Sequence, residues 1–176
     1  MKNCEKASEN IILIGYMAVG KSRIGRELVE VLKEQNRDYE LLDCDSLIEK
    51  EAGCTVAEIF ERFGQDEFRK RETDLLKRLS GRTGIILSTG GGMPLKEENR
   101  ALLNELGIVV YLKAEVSTIA DRVRNDKTRP LLKTDKALET HIGDMLKERN
   151  PIYESLADIT ISVDGKSPRE IVGEIL

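Results

Sequence analysis

Apolar positions along the chain fall into two kinds of pattern. Short unbroken runs read as strands buried on both faces: Ile11 to Ile14, "YELLD" ending at Asp43, "GIILS" ending at Ser88, "GIVVYL" from Gly107 and "DITISV" from Asp158. The segments between them carry helical spacing. Ile24, Leu28, Val31 and Leu32 share one face and predict a helix over 22–35. Leu47 and Ile48 begin a short helix that Gly53 ends. Thr55 and Glu58 stand at capping-box spacing ahead of Val56, Ile59, Phe60 and Phe63. Gly64 breaks that pattern, and a helix resumes over 66–79. Further helices are predicted over 96–106, 117–125 and 138–153. Ser167, Pro168 and Glu170 open a terminal one, where a proline at the first turn needs no function.

The alternation of strand and helix predicts an α/β fold of three layers. Parallel strands are joined by right-handed crossovers, with helices on both faces. No repeat or linker divides the 176 residues, so one domain over 1–176 is expected. Ligands in such sheets lie beyond the carboxyl ends of the strands, so the loops after Ile14, Asp43 and Ser88 should converge.

Composition narrows the chemistry. The mix of 40% hydrophobic and 34% charged residues fits a soluble globular chain. A net charge of −4 and an aromatic content of 4% without tryptophan argue against a nucleic-acid partner. Any anion must therefore be held by a local site. Cys4, Cys44 and Cys54 form no C-x-x-C pair and no cluster with His141, so zinc and disulfide frameworks are weak readings. The odd thiol count and the lack of a signal segment point to the cytoplasm. No apolar run nears the roughly 20 residues that span a bilayer. The polar opening, residues 1–9, reads as a loose arm.

The strongest motif is Gly15 to Ser22, G-x-x-x-x-G-K-S, lying between a predicted strand and a predicted helix. Small residues there let backbone N–H groups turn inward on an anion, and the helix adds its positive end. Lys21 supplies charge to outer phosphates, and the Ser22 hydroxyl can ligate Mg²⁺. Asp43 and Asp45 close the second strand. They suit a metal's water shell and a hydroxyl proton, or simply cap the next helix. Gly90, Gly91 and Gly92 after the third strand admit a ligand close to the main chain, or form a flexible turn. Arg69 and Glu72 can pair across a helical turn; spacing alone favours a solvated ion pair over a carboxylate clamp. Phe60 and Phe68 read as core. Arg129 and Pro130 lie in a charged stretch, about 125–137, that is either a surface loop or a lid. Arg149 reads as a helix C-terminal cation or an anion ligand.

The order of "GYMAVGKS", "DCD", "FRKRE", "STGGG", "RPLL" and "RNPIY" resembles the shikimate kinases, small P-loop kinases related to nucleoside monophosphate kinases. The resemblance runs from about Asn10 to the C-terminus. It implies a five-stranded parallel sheet of order 2-3-1-4-5 and a mobile lid. It also implies ATP-dependent phosphorylation of the 3-hydroxyl of shikimate, on the route to chorismate and aromatic amino acids, with Mg²⁺ as cofactor. By the same resemblance Gly15, Ala18, Val19, Gly20, Lys21 and Ser22 wrap the ATP phosphates, with Ser22 and Asp43 at the metal. Asp45 is the proposed base. Arg69, steadied by Glu72, and Arg149 hold the shikimate carboxylate. Gly90, Gly91, Gly92, Phe60, Phe68 and Pro130 line the pocket. Arg129 comes from the lid onto the phosphates, and Arg122 and Pro168 flank the adenine. The expected partners are ATP and shikimate, with no membrane and no nucleic acid, in a monomer. Two departures stand out. Ala18 replaces a usual glycine, which is comfortable only at negative φ. Cys44 stands where Thr or Ser is common.

The rivals are a gluconate or nucleoside monophosphate kinase, and a silent nucleotide-binding regulator. The acceptor residues at consecutive strand ends argue against both.

Overall fold

A computed structural model of the chain describes residues 10–125 and 135–176, with the side chains of 125 and 135–137 left aside. The resembling family's lid residues Arg129 and Pro130, and the arm over 1–9, lie outside the described residues. Five strands, β1 Asn10–Ile14, β2 Glu40–Asp43, β3 Ile85–Ser88, β4 Gly107–Lys113 and β5 Ile159–Ser162, form one parallel sheet of order β2-β3-β1-β4-β5. The helices are α1 Lys21–Glu34, α2 Cys44–Ala52, α3 Val56–Leu79, α4 Glu97–Leu106, α5 Val116–Asn125, α6 Asp135–Leu156 and α7 Pro168–Ile175.

Successive strand residues point to opposite faces, and both faces are covered. Ile11 and Leu13 of β1 pack with Leu28 and Leu32 of α1, Ile119 of α5 and Ile171 of α7. Ile12 and Ile14 pack with Ile48 of α2, Leu75 and Leu76 of α3 and Leu103 of α4. That is why the central strands read as solid apolar runs. The edge strands β2 and β5 are partly exposed.

Asn10 knits the end of the sheet away from the loops that follow β1, β2 and β3. Its amide donates to Arg82 O at 2.7 Å and Leu106 O at 2.8 Å, and its Oδ1 accepts from Ile85 N at 3.0 Å.

Element boundaries carry specific physical causes. Gly53 ends α2 in the left-handed region at φ 67°, and Thr55 with Glu58 caps α3 in both directions. Ser167 and Glu170 do the same for α7. Gly64 stands inside α3 at φ 81°, ψ 174°, so α3 is two helical arms meeting at a bend. α2 begins three residues before the expected Leu47, because the Asp43 side chain accepts from Ser46 N and starts the turn early. α6 runs on through Pro151 to Leu156, past the expected end at Tyr153. Among the described residues no helix is long and apolar enough to cross a membrane.

Candidate active site

The carboxyl ends of β1, β2 and β3 meet at a cleft of about 230 Å³, lined by the loop from Met17 to Ser22 with Asp43, Asp45, Ser88, Gly90 and Gly91. Each part follows from its local sequence. Helices α2, α3 and α7 begin with a side-chain cap, whereas α1 begins at Gly20, at φ 102°, with none. No side chain caps its first turn, which, as at α4, leaves the positive end of the helix dipole uncovered by a capping group. Lys21 is buried, and its Nζ donates to Gly15 O at 2.9 Å and Tyr16 O at 3.0 Å. Arg122 of α5 secures the loop from outside, its Nη1 donating to Ala18 O at 3.1 Å and Val19 O at 2.7 Å. Arg122 and Pro168 also share the wall of a second hollow of about 200 Å³ beside Val19 and Gly20. Ala18 adopts φ 62°, so the comfortable negative φ is not what the loop uses.

The Ser22 hydroxyl donates to Asp43 Oδ2 at 2.6 Å and lies 3.1 Å from Ser88 Oγ. Burial works to raise Asp43, but hydrogen bonds from Ser22, the Ser46 amide and Ser88 outweigh it and hold the carboxyl below its usual range. An ionised carboxylate flanked by hydroxyls is an oxygen donor set suited to a hard divalent cation. Asp43 caps α2 with Oδ1 and accepts from the Ser22 hydroxyl with Oδ2. Ser88 belongs to this group, although as the last residue of a plain apolar run it gave no signal.

The other side of the cleft holds the acceptor candidates. Arg69 Nη1 donates to Glu72 Oε2 at 2.6 Å, and the Glu72 side chain is 0% exposed, which excludes the solvated surface pair. Glu72 Oε1 has no partner among the described residues. Burial lifts Glu72 to about 7, although Arg69 pulls it down. A Cβ added at Gly90 would lie 2.9 Å from Asp45 Oδ1 and 3.0 Å from Glu72 Oε1, so both carboxylates converge on that glycine. One added at Gly92 would overlap the Arg69 guanidinium, and one at Gly91 would meet Gly15 O and Met17 N at 3.4 Å. The triple glycine is therefore a close-packed junction rather than a loose turn. Phe68 is buried as expected, but Phe60 is 37% exposed and tilts against it with ring centroids 4.9 Å apart, so Phe60 is not core.

Arg149 lies in the interior of α6, so it is no helix-terminal cation. Its guanidinium lies over the Tyr16 ring at 5.4 Å. The neighbouring residues of "RNPIY" also act. Asn150 Oδ1 accepts from Tyr111 OH at 2.8 Å, and Tyr153 OH donates to Gly91 O at 2.6 Å. These two tie α6 to the sheet and to the glycine turn. Neither was assigned from the sequence, since nothing local marks a tyrosine whose partner is 62 residues away.

A phosphate loop at the first strand, an uncapped helix start and a serine–carboxylate pair at the second strand define a P-loop kinase. The shikimate kinase family model matches residues 17–176. A shikimate kinase of Actinobacillus pleuropneumoniae serotype 5b is 42% identical over 167 residues, covering 95% of this chain and 93% of its own. A solved shikimate kinase from Acinetobacter baumannii in complex with shikimate superposes with a TM-score of 0.85 at 39% identity, covering 97% and 92%. A gluconokinase from Sinorhizobium meliloti reaches 0.59 at 19% identity, a likeness of fold alone, covering 96% and 90%. The chain belongs to the shikimate kinase family.

Proposed function

We propose that this chain transfers the γ-phosphoryl group of ATP to the 3-hydroxyl of shikimate, giving shikimate 3-phosphate and ADP, within the cytoplasmic route to chorismate. The reading is carried by one arrangement: a guanidinium, Arg69, braced by a wholly buried carboxylate and seated on Gly92 across the cleft from the phosphate loop. A solvent-braced arginine would not hold an aim of this kind.

In the proposed mechanism the uncapped N-terminal turn of α1 and the Lys21 ammonium receive the phosphates, for which Lys21 leaves the loop carbonyls it now bonds. Ser22 and Asp43 would hold a magnesium ion, which neutralises phosphate charge when bound. Arg69 and Arg149 grip the acceptor carboxylate, with Phe60 and Phe68 as the apolar wall. Asp45, beside Gly90, takes the proton of the attacking hydroxyl as the new O–P bond forms and the bond to the ADP oxygen breaks. Arg122 and Pro168 border the hollow assigned to adenine. Arg129 and Pro130, outside the described residues, are assigned to the lid by the family pattern.

The decisive measurement is ADP release with ATP and magnesium, offering shikimate, gluconate and AMP separately. Release with shikimate alone is expected. Release driven by gluconate or AMP, or by no acceptor, overturns the reading.

A further inference from the structure

The Arg69–Gly92 contact needs a support that the reaction itself does not provide. Gly92 leads directly into a 3₁₀ turn, Met93–Leu95, whose carbonyls face α4. Asn99 Nδ2 donates to Met93 O at 3.0 Å, and Arg100 Nη1 reaches Pro94 O and Leu95 O at 3.4 and 3.3 Å. On its other side Asn99 Oδ1 accepts from the Thr73 hydroxyl at 2.7 Å. Thr73 stands one helical turn beyond Arg69, and its hydroxyl also lies 3.0 Å from Arg69 O. Lys96 Nζ donates to the same hydroxyl at 3.0 Å. Asn99 is 0% exposed and Thr73 2%, so these bonds have no water to replace them. The Thr73 hydroxyl has one hydrogen and two acceptors. Without Asn99 it would turn back onto Arg69 O, a bond that bends helices.

We propose that Asn99 is a positioning residue for the acceptor arginine: through Met93 and Thr73 it fixes the Gly92 turn and the Arg69 turn of α3 at one separation. This rests on the reading of Arg69 as the carboxylate ligand. Neither Asn99 nor Thr73 touches the cleft, so their effect on the acceptor must pass through Arg69 and Gly92.

Asn99→Leu keeps the branched side-chain skeleton and removes both bonds. The acceptor KM should rise about tenfold, because displacements well under 1 Å at a bidentate clamp weaken it strongly. The ATP KM should stay within about twofold, since Asn99 and Thr73 bond to Met93, Arg69 and Lys96 and not to Lys21 or Ser22 among the described residues. Should Asn99→Leu fail to fold, Thr73→Val removes one hydroxyl at constant shape and carries the same expectation. A double-mutant cycle separates positioning from general stability: in an Arg69→Lys background, Asn99→Leu should change acceptor affinity by less than about twofold. Additive effects, or equal increases in both KM values, overturn the inference. If the unaltered protein binds ATP but takes no shikimate, the functional reading fails first, and this inference falls with it.

Discussion

Ala18 sits at φ 62° in the phosphate loop, where the left-handed region costs a residue with a Cβ about 1–2 kcal/mol. Ala18→Gly relieves that strain but adds about 0.4–1 kcal/mol of unfolded-chain entropy. The relief is the larger of the two, by at most about 1.6 kcal/mol, so the melting temperature should rise by no more than a few degrees. Ala18→Val keeps the strain and adds a β-branch, and should lower stability by at least about 1 kcal/mol and raise the ATP KM. Calorimetry with nucleotide titration on both variants checks this, and a stabilised valine variant would show that the loop is not strained at this residue. Glu72 makes a second residue-level prediction. Burial lifts it from 4.5 to about 7, so between those values the folded chain keeps a proton that the unfolded chain has lost. Folding then takes up a proton, and stability should fall as pH climbs from about 5 to about 8, by up to about 3 kcal/mol. Urea midpoints across that range should be flatter in Glu72→Gln, which carries no titrating carboxyl. An equally steep fall in the variant rules Glu72 out as its source.

At the scale of elements, the bend in α3 is the feature with most leverage. Gly64 at φ 81°, ψ 174° occupies a conformation open to glycine and hardly to anything else, while a Cβ there would meet nothing within 4 Å. Gly64→Ala should therefore cost about 1–3 kcal/mol from backbone strain alone, read as a shift in urea midpoint. It should also disturb the arm that carries Phe60 and raise the acceptor KM. A full-stability alanine variant would mean that α3 straightens freely. This bend was legible beforehand, because a glycine interrupting a helical pattern has few other uses. The strands were legible for a related reason: a strand covered on both faces must be apolar along its middle, as β1 is from Ile11 to Ile14 and β3 from Ile85 to Leu87. The start of α2 was not, because the spacing of Asp43 left its capping of the next helix open, whereas its Oδ1 accepts from Ser46 N while its Oδ2 accepts from Ser22. The Glu72 environment was not legible either, since i, i+3 spacing says who can pair and nothing about which face of α3 is buried.

For the whole molecule, Asn10 ties β1 to Ile85 at the start of β3 and to Arg82 and Leu106 in the segments leading into β3 and β4, with two buried hydrogen bonds and one partly buried. Asn10→Ala leaves two carbonyls and an amide without partners, and should cost about 2–4 kcal/mol. The loss should appear as a lower melting temperature with both KM values nearly unchanged, since Asn10 lies at the far end of the sheet from the cleft. Selective loss of substrate binding would contradict that separation. The cleft itself draws on residues from Gly15 to Tyr153, and this explains what the chain could disclose. Contiguous parts, the phosphate loop and the glycine run, show in sequence; Ser88, Asn99, Asn150 and Tyr153 act through partners brought near only by folding. The glycines at 90–92 also limit how the pocket can be remodelled. Their contacts with Asp45, Glu72 and Arg69 already use the space any side chain would take. A floor with no side chains has nothing to trim, so, on the proposed assignment of Phe60 and Phe68 to the acceptor wall, laboratory evolution towards bulkier acceptors should act there instead.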